Sequence, residues 1–191
     1  MGLVDRVLQR VIGTGRVSTA AHDAPVAAGA MRDHLVRAAD LPLLDQATKT
    51  PGRWYHSTGS SIVPSILDAG MDLRRAGSGM YGAGHYFSSI PDAHYGAGMI
   101  SAAVRSQNPF VLREGSRFMD LQGFQQAIRP VVERFVATHP VEASTLEHAE
   151  LARRALLDAG HDSVLVMRRP WEPQWLVALE DDAVRIVTQP A

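Results

Sequence analysis

The chain predicts an α+β protein with a mixed or antiparallel sheet, and three features of its pattern carry that expectation. Short strand-like runs are interspersed with helical stretches without forming a βαβ repeat. Three apolar runs, 162–167, 174–179 and 183–187, gather late in the chain with only turn material (RRPWEP and EDD) between them. No G-x-G-x-x-G joins a first strand to a first helix and no Walker loop is present, which disfavours a doubly wound nucleotide fold.

The elements follow in order. Residues 1–12 set Leu3, Val4, Val7, Leu8, Val11 and Ile12 at helical spacing, a short amphipathic helix suited to packing on its own domain or on a partner. Residues 13–28 are small, polar and punctuated by Gly and Pro, and read as a linker. A second helix runs from Met31 to about Ala47. The domain division is therefore an N-terminal helical segment with its linker, 1–50, and a main domain, 51–191. Arg53–Thr58 is the first strand. Ser61 can cap a helix over 62–68, with Pro64 in its first turn and Gly70 at its end. His85–Ser88 is the next strand, and Pro91-Asp92 opens a helix from Ala93 to about Arg105. Pro109–Leu112 and Arg117–Leu121 read as a hairpin. A long helix covers Phe124–Thr138 until Pro140 breaks it. A capping box, Ser144 to Glu147, then starts a helix that Gly160 stops after Ala159.

Composition bounds the function. The chain has 191 residues, 46% apolar, which suits one domain with a real core and a terminal appendage. A net charge of −1 supplies no general field toward nucleic acid or membrane. The absence of cysteine excludes disulfides, thiolate nucleophiles and Cys-type zinc sites. His34, His139, His148 and His161 show no metal-ligand spacing, so no metal is assigned. No apolar run approaches 18 residues and the N-terminus lacks a secretory pattern, so the default expectation is a cytoplasmic protein without a membrane partner. Specialised export needs no such signal.

The stretch 54–95, WYHSTGSSIVPSILDAGMDLRRAGSGMYGAGHYFSSIPDAHY, carries the chemistry. Glycines at 70, 77, 79, 82 and 84 let the backbone take positive φ and approach a ligand between His56 and Tyr86. Taken singly, His56 and Tyr86 read equally as structural residues, and it is their joint spacing that points to a clamp for a planar, phosphate-bearing ligand. His85, next to Tyr86, points to the opposite face of the strand and is read as surface or packing, and His94 as solvent-facing.

His-Ser-Thr at a strand end, a small helix closing in Ala-Gly-Met, then Gly-Met-Tyr-Gly-Ala-Gly-His-Tyr-Phe-Ser and a second tyrosine resemble the NAD-binding core of ADP-ribosyltransferases. The likeness is to the diphtheria-toxin and poly(ADP-ribose) polymerase branch, whose signature is His-Tyr-Glu, and it covers roughly residues 53–112. The resemblance implies a split β-sandwich of mostly antiparallel strands with peripheral helices, and NAD as co-substrate. It implies that His56 bonds the adenosine-side ribose, that the Ser57 backbone holds the nicotinamide amide where the family has Gly, and that Tyr86 and Tyr95 sandwich the nicotinamide ring with Thr58 assisting. Gly84 belongs to the same NAD-binding loop. Aromatic faces suit a flat, electron-poor ring.

The third signature residue departs from the family. Aligning Gln174-Trp-Leu-Val-Ala with the family's late strand puts Gln where Glu stabilises the oxocarbenium-like transition state. Either Glu172, two residues earlier, reaches in, or the enzyme manages with Gln174, or the domain is a weak transferase. Arg168, Arg169 and Trp171 either shape the acceptor site or form a solvated turn with a packing Trp, and Arg74 and Arg75 either approach the NAD phosphates or are solvated. The resemblance implies mono-ADP-ribosyl transfer to a protein or nucleic-acid acceptor, in the manner of a bacterial toxin or effector, with an antitoxin or partner as the ligand of the N-terminal helix. An NAD glycohydrolase and a non-catalytic NAD- or ADP-ribose-binding module are the alternatives on the same scaffold.

Overall fold

The computed structural model describes residues 54–76, 78–113, 121–169 and 172–187. The expected N-terminal helices and linker, Arg53, the expected Glu114-Gly115 turn and residues 117–120 of the expected hairpin fall outside them. The elements are β1 (Trp54–Thr58), α1 (Val63–Ala69), β2 (Ser78–Gly79), β3 (Gly82–Ala83), β4 (His85–Ser88), β5 (Gly98–Val104), β6 (Pro109–Arg113), α2 (Leu121–Thr138), α3 (Pro140–Thr145), α4 (His148–Asp158), β7 (Ser163–Arg169), β8 (Glu172–Ala178) and β9 (Val184–Ile186). Single 3-10 turns occupy Ala93–Tyr95 and Asp181–Ala183.

Seven strands form one sheet in the order β6-β7-β8-β4-β1-β5-β9, while β2 and β3 make a separate small hairpin. Every pairing in the large sheet is antiparallel except β6 with β7. This is the α+β class with a mostly antiparallel sheet that the pattern of runs predicts.

Strand alternation divides the apolar residues between two faces. Val164 and Val166 of β7 and Val177 of β8 meet Phe124, Ile128, Val132 and Phe135 of α2 and Leu151, Ala155 and Leu156 of α4 in one core. Leu165, Met167, Leu176 and Ala178, the residues between them, join Trp54 and Phe87 in a second core on the other face. The helical spacing along α2 and the capped end of α4 are legible in the sequence. Gly160 takes φ +86 while its amide bonds the Leu157 carbonyl and the His161 amide the Leu156 carbonyl, a Schellman closure.

Four local expectations are corrected. Residues 93–105 are not a helix. After one 3-10 turn they form β5, paired along its length with β1 from Thr58↔Gly98 to Trp54↔Ala102. Gly98, Ile100 and Ala102 are buried in alternation, and a Cβ on Gly98 would lie 3.0 Å from Ser60 Cα, so close strand packing overrides the alanine-rich helical propensity. Ser61 does not cap α1, whose N-cap is Ile62 with no side-chain cap bond. The capping box does not form either. Pro140 opens the short α3, Ser144 Oγ donates back to the Val141 carbonyl, and Glu147 precedes α4 with no side-chain cap bond. Finally, β6 finds its partner in β7, in parallel, and Leu121 belongs to α2 and not to a hairpin strand. No helix among the described residues is long and apolar enough to cross a membrane.

Candidate functional site

Two strand ends meet to make the site. β1 finishes on His56, Ser57 and Thr58 where β4 begins from Gly84, His85 and Tyr86, and the two strands are antiparallel neighbours. α1 and residues 70–76 supply a wall, Tyr95 arrives on the turn 93–95, and Asp181 on the turn after β8. Together they line a cavity of about 640 Å³, within the range of small-molecule sites.

Local bonds hold the lining in place. The Ser57 hydroxyl donates to the Asp92 carbonyl, and the Asp92 carboxylate accepts from the His94 amide at 2.9 Å, capping the turn that carries Tyr95. Gly96 then runs with φ +149 directly against β1, where a Cβ would collide with the Thr58 carbonyl. Tyr95 is 66% exposed, so its ring is open to a stacking partner. His94 is exposed beside it, as expected, in an edge-to-face contact.

His56 is half-buried, with Nδ1 2.8 Å from the Tyr86 carbonyl. A carbonyl only accepts, so Nδ1 carries the proton and Nε2 keeps its lone pair. Burial pushes the imidazole below its usual pKa, outweighing the opposing effect of the carbonyl bond, and the neighbouring His85 adds to the depression. A neutral His56 offers a hydrogen-bond acceptor to a hydroxyl.

Tyr86 is anchored at its far end. Its hydroxyl donates to the Gly82 carbonyl at 2.6 Å and accepts from the Tyr81 amide at 2.8 Å. Burial drives the phenol pKa well above its usual value. Gly79 lies against the same ring, where a Cβ would sit 2.5 Å from the hydroxyl oxygen. The glycines of this loop therefore approach protein as well as cavity, since Gly84 packs against Val177 and the Ala178 carbonyl and Gly82, at φ +94, against α4.

Neither a protein-family model nor any curated protein matches this chain. His56, Ser57, Thr58, Gly84, Tyr86 and Tyr95 all line the one cavity.

Gln174 is not among the lining residues. On β8 the residue opposite Tyr86 is Val177, and Gln174 stands three positions earlier, about 10 Å along the strand. Its carbonyl accepts from the Ser89 amide, and its side-chain Oε1 is buried without a hydrogen-bond partner among the described residues. Glu172 opens β8 opposite Arg169, and its side chain, like those of Arg168, Arg169 and Trp171, lies outside the described residues. Arg168 and Arg169 close β7 and are not turn residues.

Arg74 and Arg75 reach the cavity, both largely exposed. Arg74 makes a two-point bond to Asp72, Nε and Nη2 each at 3.0 Å, and that guanidinium holds the Asp72 carboxyl below the usual range. Arg75 lies 3.8 Å from the same carboxylate.

The lining also includes His85 and Asp181, which the sequence pattern does not assign to the site. His85, assigned to surface or packing, is 3% exposed and does lie across the strand from Tyr86, yet the cavity wraps the strand end and touches both. Asp181 sits in a stretch that reads only as a turn, and no local signal marks it. Among the described residues no group of three or more His, Cys, Asp or Glu is placed to hold a metal ion.

Proposed function

We propose that this protein is an NAD-dependent mono-ADP-ribosyltransferase, with the domain built as a split β-sandwich of the His-Tyr-Glu kind. It cleaves the nicotinamide–ribose bond of NAD and passes ADP-ribose to a protein or nucleic-acid acceptor, as a bacterial toxin or effector does. The observation that carries this reading is convergence. Six residues that the resemblance assigns to the dinucleotide come from three separate segments, 56–58, 84–86 and 95, to one cavity. The neutral His56 suits a ribose hydroxyl, and the open ring of Tyr95 suits a nicotinamide face.

One observation favours a second reading, a module that holds NAD without turnover. Gln174, the position aligned with the family's acid, lies off the cavity. Incubation with adenylate-labelled NAD and lysate separates the outcomes. Label on a macromolecule supports transfer, free ADP-ribose supports hydrolysis, and saturable binding with NAD intact supports the module. A protein that neither binds nor consumes NAD rules out all three.

Tyr95 is the better probe of the site than Tyr86, because Tyr86 also pins the β2–β3 hairpin. Tyr95→Ala is expected to weaken NAD binding roughly 2- to 10-fold, the worth of one aromatic stack at about 0.5–1.5 kcal/mol. Its Tm should change little, since the ring is mostly exposed. Calorimetric titration with NAD and a melting curve check both.

A further inference from the structure

The cavity has two carboxylates among its lining residues, and they are differently committed. Both oxygens of Asp72 bond Arg74, so its charge is neutralised in place. Asp181 uses only Oδ1, which accepts from His85 Nε2 at 2.7 Å and from the Leu73 amide at 2.8 Å. Its Oδ2 has no hydrogen-bond partner among the described residues, and at 51% exposure the group is within a ligand's reach. His85 is almost fully buried behind it, and because the carboxylate accepts, Nε2 is the protonated nitrogen.

Topology explains why this carboxylate arrives at the site and Gln174 does not. β8 runs antiparallel to β4, pairing Ala178 with His85 and Val177 with Tyr86. The start of β8 therefore lies at the end of β4 away from the cavity. The chain leaving β8 returns toward the beginning of β4, where Asp181 meets His85, the residue preceding Tyr86.

We infer that Asp181, oriented by His85, is the carboxylate that faces a ribose of the bound dinucleotide and supplies the negative charge that position 174 lacks. This rests on the NAD-cleaving reading above. In the reaction the bond from ribose C1′ to the nicotinamide nitrogen breaks, and its electron pair goes to that nitrogen, so nicotinamide leaves neutral. The positive charge passes to the ribosyl carbon, opposite the Asp181 carboxylate. The acceptor's nucleophile then bonds C1′, and its proton is lost to water. A fixed charge aimed at developing charge acts on the transition state more than on the bound substrate. Asp181 is the group in contact with the ligand, and His85 is a positioning residue.

Asp181→Asn tests this in the full-length protein, because an amide oxygen still accepts from His85 and Leu73 while the charge is lost. The expected result is a fall of roughly 100-fold in kcat for nicotinamide release. Kd for NAD should stay within about threefold, and Tm should be unchanged. Asp182→Asn, which removes only the exposed partner of Arg105, should leave kcat as it was. Adding Gln174→Glu to Asp181→Asn should restore nothing. Unchanged kcat in Asp181→Asn, or rescue by Gln174→Glu, overturns the assignment while the donor-site reading stands. Wild-type protein that binds NAD without consuming it also overturns the assignment, leaving the binding-module reading. If wild type neither binds nor consumes NAD, the underlying reading fails and this one with it.

Discussion

At the scale of single residues, the protonation of His56 sets the pH response of the site. Its Nδ1 is committed to the Tyr86 carbonyl, so only a lone pair on Nε2 is left for a ligand hydroxyl. Burial lowers its pKa, so the neutral form persists below the ordinary imidazole value near 6.5. The sign follows from that direction. In the unfolded chain the imidazole protonates first as pH falls, so its contribution to stability is complete above about 6.5 and is lost as pH drops toward the depressed native value. NAD affinity should therefore be flat from pH 8 to about 6.5 and decline only on further acidification, when Nε2 becomes a donor. His56→Ala should weaken binding by up to about tenfold, one net hydrogen bond, and flatten this acid limb. Calorimetric Kd values across the pH range check both, and a wild-type affinity that changes between pH 8 and 7 would count against the neutral tautomer. His56 and Tyr86 are legible in the sequence because their spacing around a glycine loop is a local property. Asp181 is not, since it is brought 96 positions back to His85 only by strand pairing.

Among the elements, the β2–β3 hairpin and β5 show what glycine does here. Gly79 and Gly70 look alike as loop glycines, yet they constrain the fold differently. Gly70 has φ +82 with an extended ψ and open space where a Cβ would project, so Gly70→Ala meets only backbone strain of about 1–3 kcal/mol. Gly79 lies on Tyr86, and a methyl there must push the ring or lift the hairpin, an overpacking cost of about 1–3 kcal/mol. Gly79→Ala should thus lose NAD affinity together with a Tm several degrees lower, whereas Gly70→Ala should lower Tm without moving the Tyr86 ring. Melting curves with NAD titrations on the two variants distinguish them. The same physics explains the misassigned segment 93–105. Its alanines favour a helix, but Gly96 and Gly98 are there because the chain passes too close to β1 for any side chain. Period-two burial of Gly98, Ile100 and Ala102 is a weak sequence signal, since two of the three positions have almost no side chain to reveal it.

Across the whole molecule, the cavity is supported from behind by the helical layer. α4 is fastened to the end of β8 by Arg153, which bonds Glu150 through Nε and Nη2 and the Leu179 carbonyl through Nη1. It also carries Ala149 and Ala152 against Gly82, whose carbonyl receives the Tyr86 hydroxyl. The helix and strand periods that define the two cores can be read from the sequence, whereas this path from α4 through the hairpin to Tyr86 depends on residues that are mostly Ala and Gly. Two core variants separate stability from site geometry. Leu156 is fully buried in the α2–α4 core, and Leu156→Ala should cost about 2–5 kcal/mol through the cavity it leaves between those helices. Measured at a temperature where the variant is still folded, its Kd for NAD should equal the wild-type value. Ala152→Leu adds volume where a Cβ on Gly82 would lie 3.4 Å from Ala152 Cβ, so relief requires the hairpin to move outward and the Tyr86 hydroxyl to lose the Gly82 carbonyl. A smaller stability loss, about 1–3 kcal/mol, should then accompany a larger loss of NAD affinity. If the two variants instead lose affinity in proportion to stability, α4 supports the fold in general and not the Tyr86 clamp in particular.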